Sequence, residues 1–450
     1  MSFHSPLLYF TDSLLRAPTI ACMLMCLSSS LIGVYLFLRK QSLVGESLSH
    51  ASYPGVMLAV TIGAYYLPEE RESAYLAMMI LAGAFFSSAI SYWVIDCLIK
   101  NFRVRSDSAL CFVLSAAFGI GLTGASMLQF SHTYYYKQIQ MYLYGQAATM
   151  TDFHIYLYAT LSALVLAVVL FLYKELKVIT FDRAYALSLG IPTGMIDRVF
   201  FCLLVLSVVI GIRSVGIVLM SGMLIAPPIA ARQWTDRLSR MLVLSSLFGM
   251  ASGFLGNYLS VELSFRSGVE GGGQLLGFPT GPMIVLIAAF FSFFSLIFAS
   301  ERGFFRRIWR IFRFHNVSIQ ENILKGIWRL EPNGELSFEQ IRNFQVSNSA
   351  YLKMLLFSLQ RKGWVKRGVS GGYVLTEDGE KRASWIVRLH RLWELYLVDR
   401  LGLGIEQVHK SAEEMEHIIT PEIEERLTQL LCDPKEDPHK QPIPRYEETL

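Results

Sequence analysis

Three signatures are missing from this chain, and each absence closes a class of function. No Gly-x-x-x-x-Gly-Lys-Ser/Thr run occurs, so the chain has no phosphate-cradling ATP loop of its own. No His-Glu-x-x-His occurs in any apolar stretch, which removes the reading of a membrane-bound metalloprotease. No positively charged segment precedes the first apolar run, so that run is expected to stay as a helix and not to be cleaved as a leader. Cysteine is sparse and unpatterned: Cys22, Cys26, Cys97, Cys111 and Cys202 fall in apolar stretches and Cys432 outside them. That spacing suggests neither a disulfide framework nor a zinc ribbon, and small apolar core residues are the simpler account. Charge is also low, at 17% of 450 residues against 53% hydrophobic, with a mean hydropathy of +0.41. Such a balance is too apolar for an ordinary soluble protein and places the chain in a membrane.

Runs long enough to cross about 30 Å of hydrocarbon as helices lie near Pro18 to Leu38, Ser47 to Leu67, Ala74 to Leu98, Ala109 to Leu128, Ile155 to Tyr173, Met241 to Ser260 and Pro282 to Ala299. The stretch Val199 to Ala231 exceeds one crossing, is interrupted at Arg213 and Gly216, and ends in Pro227-Pro228. It reads as two short crossings or one broken helix. Lys and Arg cluster at Arg39-Lys40, Lys100 to Arg105, Lys174 to Arg183, Arg232 to Arg240 and Arg302 to Arg313, which marks those loops as cytoplasmic. The acidic Pro68-Glu69-Glu70 loop then falls outside. An outside N-terminus and a cytoplasmic C-terminal region require an odd number of crossings, which favours nine.

Two polar intrusions stand out in this half. Glu46 and His50 lie four residues apart where an apolar span begins, which puts both on one helix face. A carboxylate and an imidazole suit a divalent transition metal, and ionisable groups at membrane depth usually face a pathway or cavity. The same pair could equally be a satisfied hydrogen bond at a helix end. Further on, Thr180 to Pro192 is a short amphipathic segment with an acidic start and a Gly-x-Pro stop. It is either a surface connector or a coupling helix that docks on a partner.

The run Gly45-Glu46-Ser47-Leu48-Ser49-His50-Ala51-Ser52-Tyr53-Pro54-Gly55 opens an ordered series of blocks. It is followed by the Phe181-Asp182-x-x-x-Ala186-x-x-x-Gly190 loop, Val215-Gly216, Ala226-Pro227-Pro228-Ile229-Ala230-Ala231 and Pro279-Thr280-Gly281-Pro282-Met283-Ile284-Val285. In this order the blocks resemble the ABC-3 family, the permeases of manganese, zinc and iron importers, across nearly all of residues 14 to 300. The family usually has Asp where this chain has Glu46, so the acid is kept and its reach lengthens. The resemblance implies that Glu46 and His50 contact the metal in transit. It implies also that Asp182, Ala186 and Gly190 belong to the loop that meets a separate cytoplasmic ATPase subunit. The permease would work as a homo- or heterodimer in the bacterial inner membrane, receive metal from an extracytoplasmic metal-binding protein, and be a pore subunit rather than an enzyme.

After Glu301 the character changes. Residues 301–315 are basic and aromatic, as an interfacial juxtamembrane linker would be, with cationic groups toward anionic lipid. Leu336 to Asn343 and Ser347 to Leu359 read as two helices joined by a tight turn, and Gly363 to Leu375 as a β-hairpin closing at Gly371-Gly372. This is the layout of a winged helix-turn-helix, with Lys353, Arg361, Lys362, Lys366 and Arg367 as a footprint for phosphates. Further along, His409, Glu413, Glu416 and His417 fall within an arc of roughly 100° on one helix at about 100° per residue. His390 and Glu394 sit at i and i+4 on another. Nitrogen and oxygen ligands of this kind suit Mn²⁺, Fe²⁺ or Zn²⁺. The plainer reading is a solvated charged face.

These features, with the Leu375-Thr376-x-x-Gly379 turn, His390-Arg391-Leu392-x-Glu394, Val408-His409, Glu416-His417 and the ending Gln441-Pro442-Ile443-Pro444, resemble the diphtheria-toxin-repressor family of metal-dependent regulators. The resemblance runs from 317 to about 444. It implies a metal set of His390, Glu394, His409, Glu413, Glu416 and His417, and operator contacts from Ser347, Asn348, Ser349, Lys353, Lys366 and Arg367. Two departures accompany it: Asn322 stands where that family's first helix offers a better ligand, and Arg342 replaces a small residue.

The expected fold is thus an all-α polytopic membrane domain of about eight or nine transmembrane helices over 1–300. A winged helix-turn-helix over 316–382 and a helical metal-binding and dimerisation domain over 383–450 follow the linker at 301–315. The expected function is metal import coupled to repression, with Mn²⁺, Fe²⁺ or Zn²⁺ as cargo and co-repressor and with cleavage near the linker freeing the regulator. The alternative makes the C-terminal part a metal-binding gate for the pore that never touches DNA.

Overall fold

The structure, a computed structural model, describes residues 5–66, 72–131, 133–145, 147, 150–270, 277–300, 302–330, 335–344 and 348–445. The Pro68-Glu69-Glu70 loop and Ser347 lie outside the described residues. The chain divides into two compact units, Met1–Arg306 and Arg307–Leu450.

The first unit is helical. A short α1 (Leu8–Thr11) leads into α2 (Ser13–Leu38), whose first turn is capped by the Asp12 carboxylate accepting from the Leu14 and Leu15 amides. Then come α3 (Ser42–Tyr66), α4 (Glu72–Lys100), α5 (Ser106–Ser131), α6 (Thr133–Tyr144), α7 (Asp152–Phe171), α8 (Tyr173–Phe181) and α9 (Arg183–Ser188). The unit ends with α10 (Thr193–Val215), α11 (Met220–Trp234), α12 (Leu238–Glu270) and α13 (Thr280–Phe298). Among the described residues, seven helices are long and apolar enough to cross a membrane: α2, α4, α5, α7, α10, α12 and α13.

Two expected crossings are therefore different in kind. α3 has the length, at 25 residues, but not the apolarity, because Ser47, Ser49, His50 and Ser52 are buried inside the unit and not turned to lipid. Their hydroxyls are satisfied on backbone carbonyls, Ser47 on Leu110 and Ser49 on Gly45, which lets polar side chains sit in a packed interior. The Val199 to Ala231 stretch is a broken pair. α10 stops at Gly216, which takes φ +95°, a left-handed value open to glycine. A Cβ there would also lie 2.5 Å from the Tyr144 carbonyl carbon. The following α11 holds 15 residues, about 22 Å of helix, short of the hydrocarbon thickness.

Helices of this unit approach closely through small residues, as membrane helices do in the absence of a hydrophobic drive between them. At the α3–α4 crossing a Cβ on Gly55 would lie 2.0 Å from the Gly83 carbonyl oxygen. Gly55→Val is therefore expected to force the two backbones apart, at a cost of about 3 kcal/mol or more. Thermal unfolding of detergent-solubilised protein should show it as a marked loss of midpoint; an unchanged midpoint would mean the approach is looser than described.

In the second unit, α14 (Phe304–Leu330) is one continuous helix. The basic stretch expected as a linker is thus helical from Phe304, where no Pro or Gly follows for more than five turns. After α15 (Phe338–Phe344) and α16 (Ser349–Arg361), β1 (Val365–Arg367) and β2 (Tyr373–Leu375) pair antiparallel in the register Val365↔Leu375. Leu336 adds a bridge to Tyr373. Ile319, Ile323, Leu324 and Ile327 of α14 share a core with Leu352, Leu355, Leu356 and Leu359 of α16 and with Val365 and Leu375 of the hairpin. α17 (Glu377–Leu401), α18 (Ile405–Met415) and α19 (Pro421–Leu430) complete the unit. A buried Arg388–Glu424 pair at 2.9 Å ties α17 to α19, and Arg388 also donates to the Pro444 carbonyl, which seats the C-terminal segment.

Candidate metal centre

α17 begins at the Thr376 hydroxyl, which accepts from the Gly379 amide, and its long regular run sets His390 and Glu394 one turn apart on a buried face. α18 brings His409 to that face. The three ligand-type atoms converge: His390 Nε2 lies 3.2 Å from Glu394 Oε1 and 3.2 Å from His409 Nδ1, and Glu394 Oε1 lies 2.8 Å from His409 Nδ1. Metal bonds of about 2.0–2.2 Å put adjacent ligand atoms about 3 Å apart, so the donor set fits a divalent transition ion. His390 and Glu394 are buried while His409 is half exposed, which leaves one side of the cluster open to entry.

The electrostatics match this chemistry. Burial alone would raise the Glu394 carboxyl, yet the bonds and charges of His390 and His409 outweigh it and hold it at about 2. Burial alone would likewise depress His390. The hydrogen bonds of Glu394 and Glu416 overcome that and lift the imidazole above its ordinary value. Glu394 therefore stays a ready anionic ligand, facing the two imidazoles that would share an ion with it.

The other three residues of the expected set are placed differently. Glu413 sits half exposed with Oε1 3.6 Å from His409 Nε2, at the rim of the same cluster. Glu416 accepts from His390 Nδ1 at 2.5 Å and from Lys325 at 2.6 Å. It backs the imidazole from behind, as carboxylates commonly do for ligating histidines. His417 Nδ1 pairs with Glu321 at 2.7 Å, and Glu321 also holds Arg382. Glu321 and Lys325 were not legible as partners from spacing alone. They lie 65 residues or more from the histidines they serve, on either side of Asn322, the position to which the family resemblance points.

In the first unit, Glu46 and His50 stand one turn apart on α3, Glu46 half-buried and His50 9% exposed. The His50 ring meets Phe118 edge-on at 4.8 Å, and its Nδ1 is buried without a hydrogen-bond partner among the described residues. Asp182 caps α9 by accepting from the Tyr185 amide at 2.9 Å, Ala186 packs inside the unit, and Gly190 closes the segment at φ +74°. Asp197, missed in the sequence, binds Arg183 and Arg39 at 2.9 Å each and so locks α9 to the C-terminal end of α2 and the N-terminal end of α10. Phe181, Tyr185, Leu187 and Leu189 are left exposed around it.

On the helix-hairpin part, the Asn348 side chain caps α16 by accepting from the Ala350 amide. Ser349 starts the helix, and Lys353, Lys366 and Arg367 are exposed. Lys353 lies over the Phe338 ring and Arg367 over Tyr373, which holds both cations at the surface of α16 and the hairpin.

The first unit thus defines a polytopic membrane protein with an ionisable pair inside its helices, and the second carries a convergent nitrogen-oxygen cluster. The chain belongs to the ABC 3 transport family, whose pattern matches residues 11–299; residues 376–445 match the iron dependent repressor, metal binding and dimerisation domain. A Chlamydia trachomatis protein described as "Probable metal transport system membrane protein" is 37% identical over 447 residues, 97% of each chain. The Bacillus subtilis "Manganese transport system membrane protein MntC" is 30% identical over 380 residues, 84% of this chain and 82% of that one. A solved structure, PsaBC from Streptococcus pneumoniae in complex with Fab, shares the fold over 66% of this chain and 96% of its own, with a TM-score of 0.54 at 24% identity. The relatives are membrane subunits of transport systems, and this chain is a permease and not an enzyme.

Proposed function

We propose that the chain forms the pore of an ATP-driven importer of Mn²⁺, Fe²⁺ or Zn²⁺ and carries its own metal-dependent transcriptional repressor. The observation that carries the reading is the union in one chain of an ABC 3 membrane unit with the His390–Glu394–His409 cluster. Relatives named for manganese and zinc transport support the cargo class. With no phosphate loop in the chain, energy comes from a separate ATPase, and the exposed apolar side chains around α9 are the surface offered to it. An extracytoplasmic metal-binding protein delivers the ion, and two permease chains line the path. Counting α3, whose polar face is packed inside the unit, and the short, largely buried α11 as crossings shielded from lipid beside the seven apolar helices makes nine, which leaves every Lys/Arg-rich loop and the second unit on the cytoplasmic side of the inner membrane.

In the second unit, α15, α16 and the hairpin act as a winged helix-turn-helix over 316–382. Asn348, Ser349 and Lys353 enter the groove, and Lys366 and Arg367 of the wing contact phosphates. Ser347 is assigned to the same surface from the sequence. Residues 383–450 bind the metal and dimerise. Uptake of radiolabelled Mn²⁺, Fe²⁺ and Zn²⁺ by cells expressing the chain with its ATPase tests the transport half. Saturable, ATP-dependent accumulation of one of them is expected; none above the ATPase-only background would reject it.

A repressor held in a membrane searches DNA poorly, so we propose that cleavage near residues 302–315 frees it. Immunoblots with an antibody to the C-terminus should show a soluble fragment of the second unit alongside the full chain. Full-length protein alone, in both metal-poor and metal-rich growth, would sink the release step. A pore gate that binds metal in place is the second reading; the exposed Lys353, Lys366 and Arg367, which a gate does not need, weigh against it.

A further inference from the structure

Six metal-ligand side chains in one unit suggest two ions, yet a lysine stands among them. Lys325 of α14 reaches Glu416 at 2.6 Å, and the two side chains are 3% and 0% exposed. An ammonium is kept at that depth only when it is paired and hydrogen-bonded, so the contact is a fixed charge and not a surface accident. Both oxygens of Glu416 are engaged, Oε1 by Lys325 and Oε2 by His390 Nδ1. Among the described residues His417 Nε2 is buried without a hydrogen-bond partner, and it lies 3.7 Å from the oxygen that Lys325 already holds. Glu413 turns instead toward His409. A divalent ion at Glu416 and His417 would have to sit against the ammonium in a poorly screened interior.

We propose that Lys325 is a built-in cation: it takes the charge-balancing place at Glu416, so the unit holds one exchangeable divalent ion, at His390, Glu394 and His409, and not two. The proposal rests on the metal-sensing reading above. In it Glu416 is a positioning residue that orients His390, and Lys325 links that orientation to α14.

The test is metal counting on the full chain in lipid nanodiscs, equilibrated with Mn²⁺ or Zn²⁺ and analysed for bound metal per chain, so that ions on the transport path cancel between variants. His409→Ala should lose one equivalent, and His417→Ala, with Lys325 in place, should lose none. Lys325→Ala should gain one equivalent, which the added change His417→Ala removes again. Loss of an equivalent in both single histidine variants would overturn the proposal, as would a folded Lys325→Ala chain that binds no more than wild type. A folded His409→Ala chain that loses nothing would instead remove the metal-sensing reading, while the Lys325 and His417 variants still decide the role of the lysine.

Discussion

His50→Ala is expected to cut metal uptake by the assembled transporter by at least about tenfold while leaving the chain in the membrane at normal abundance. The imidazole is buried inside the helices, edge-on to Phe118, with Nδ1 unpartnered among the described residues. A polar nitrogen without a partner at that depth is costly unless it meets something in the working cycle, and a passing cation is the simplest such partner. Removing it deletes a ligand from the path and also the edge-on packing on Phe118, so abundance in the membrane is read beside uptake. Glu46→Gln, one turn away, should reduce uptake in the same direction by removing the only negative charge of the pair. Loss of one good ligand costs more than 1.4 kcal/mol of affinity for the ion in transit, which is the tenfold figure. Uptake of labelled Mn²⁺, Fe²⁺ and Zn²⁺ beside an immunoblot of membrane abundance separates the two effects. Unimpaired uptake by His50→Ala would make the pair a structural feature of α3.

The second large effect falls on the cluster of the second unit. Glu394→Gln should weaken metal binding by the second unit by on the order of 100-fold, because it removes the charge that both His390 and His409 face and that balances the ion. The carboxyl is held at about 2, so the charge that Glu394→Gln removes is present at every working pH. His409→Ala should weaken binding comparably with less structural cost, since that side chain is half exposed and Glu394 is not. A titration of the full chain with Mn²⁺, read against the same chain with both changes, measures this. Wild-type affinity in Glu394→Gln would mean that the three side chains serve each other as a hydrogen-bonded core network and not an ion.

What could be read from the sequence depended on how locally each feature is encoded. Apolar runs marked α2, α4, α5, α7, α12 and α13, since lipid demands unbroken hydrophobicity from each helix by itself. The run Ser47 to Leu67 also read as a crossing, although α3 buries serines and a histidine against other helices; the count blurred at Val199 to Ala231, where Gly216 ends α10 before α11. His390 with Glu394, and His409 with Glu413, announced themselves at i, i+4 spacing. Their meeting depends on how α17 packs on α18, which no single-helix pattern records. Lys325, Glu321 and Asp197 were invisible for the same reason: each is an ordinary charged residue until the fold brings it to a partner far away in the chain. The helical course of 304–315 was missed because its aromatic and arginine content looked like an interfacial linker, and composition there says nothing about continuity with α14.

The most direct test of the whole account is DNA binding by the C-terminal part, released as the proposed fragment 316–450 and presented with the promoter of its own operon. Mn²⁺, Fe²⁺, Zn²⁺ or a chelator would be present in turn, with mobility shift as the readout. The account predicts a specific complex that forms with one of these metals, disappears with chelator, and is lost in Lys366→Ala combined with Arg367→Ala. A folded fragment that still takes up metal yet forms no specific complex with any of them would contradict it and leave the domain as a gate on the pore.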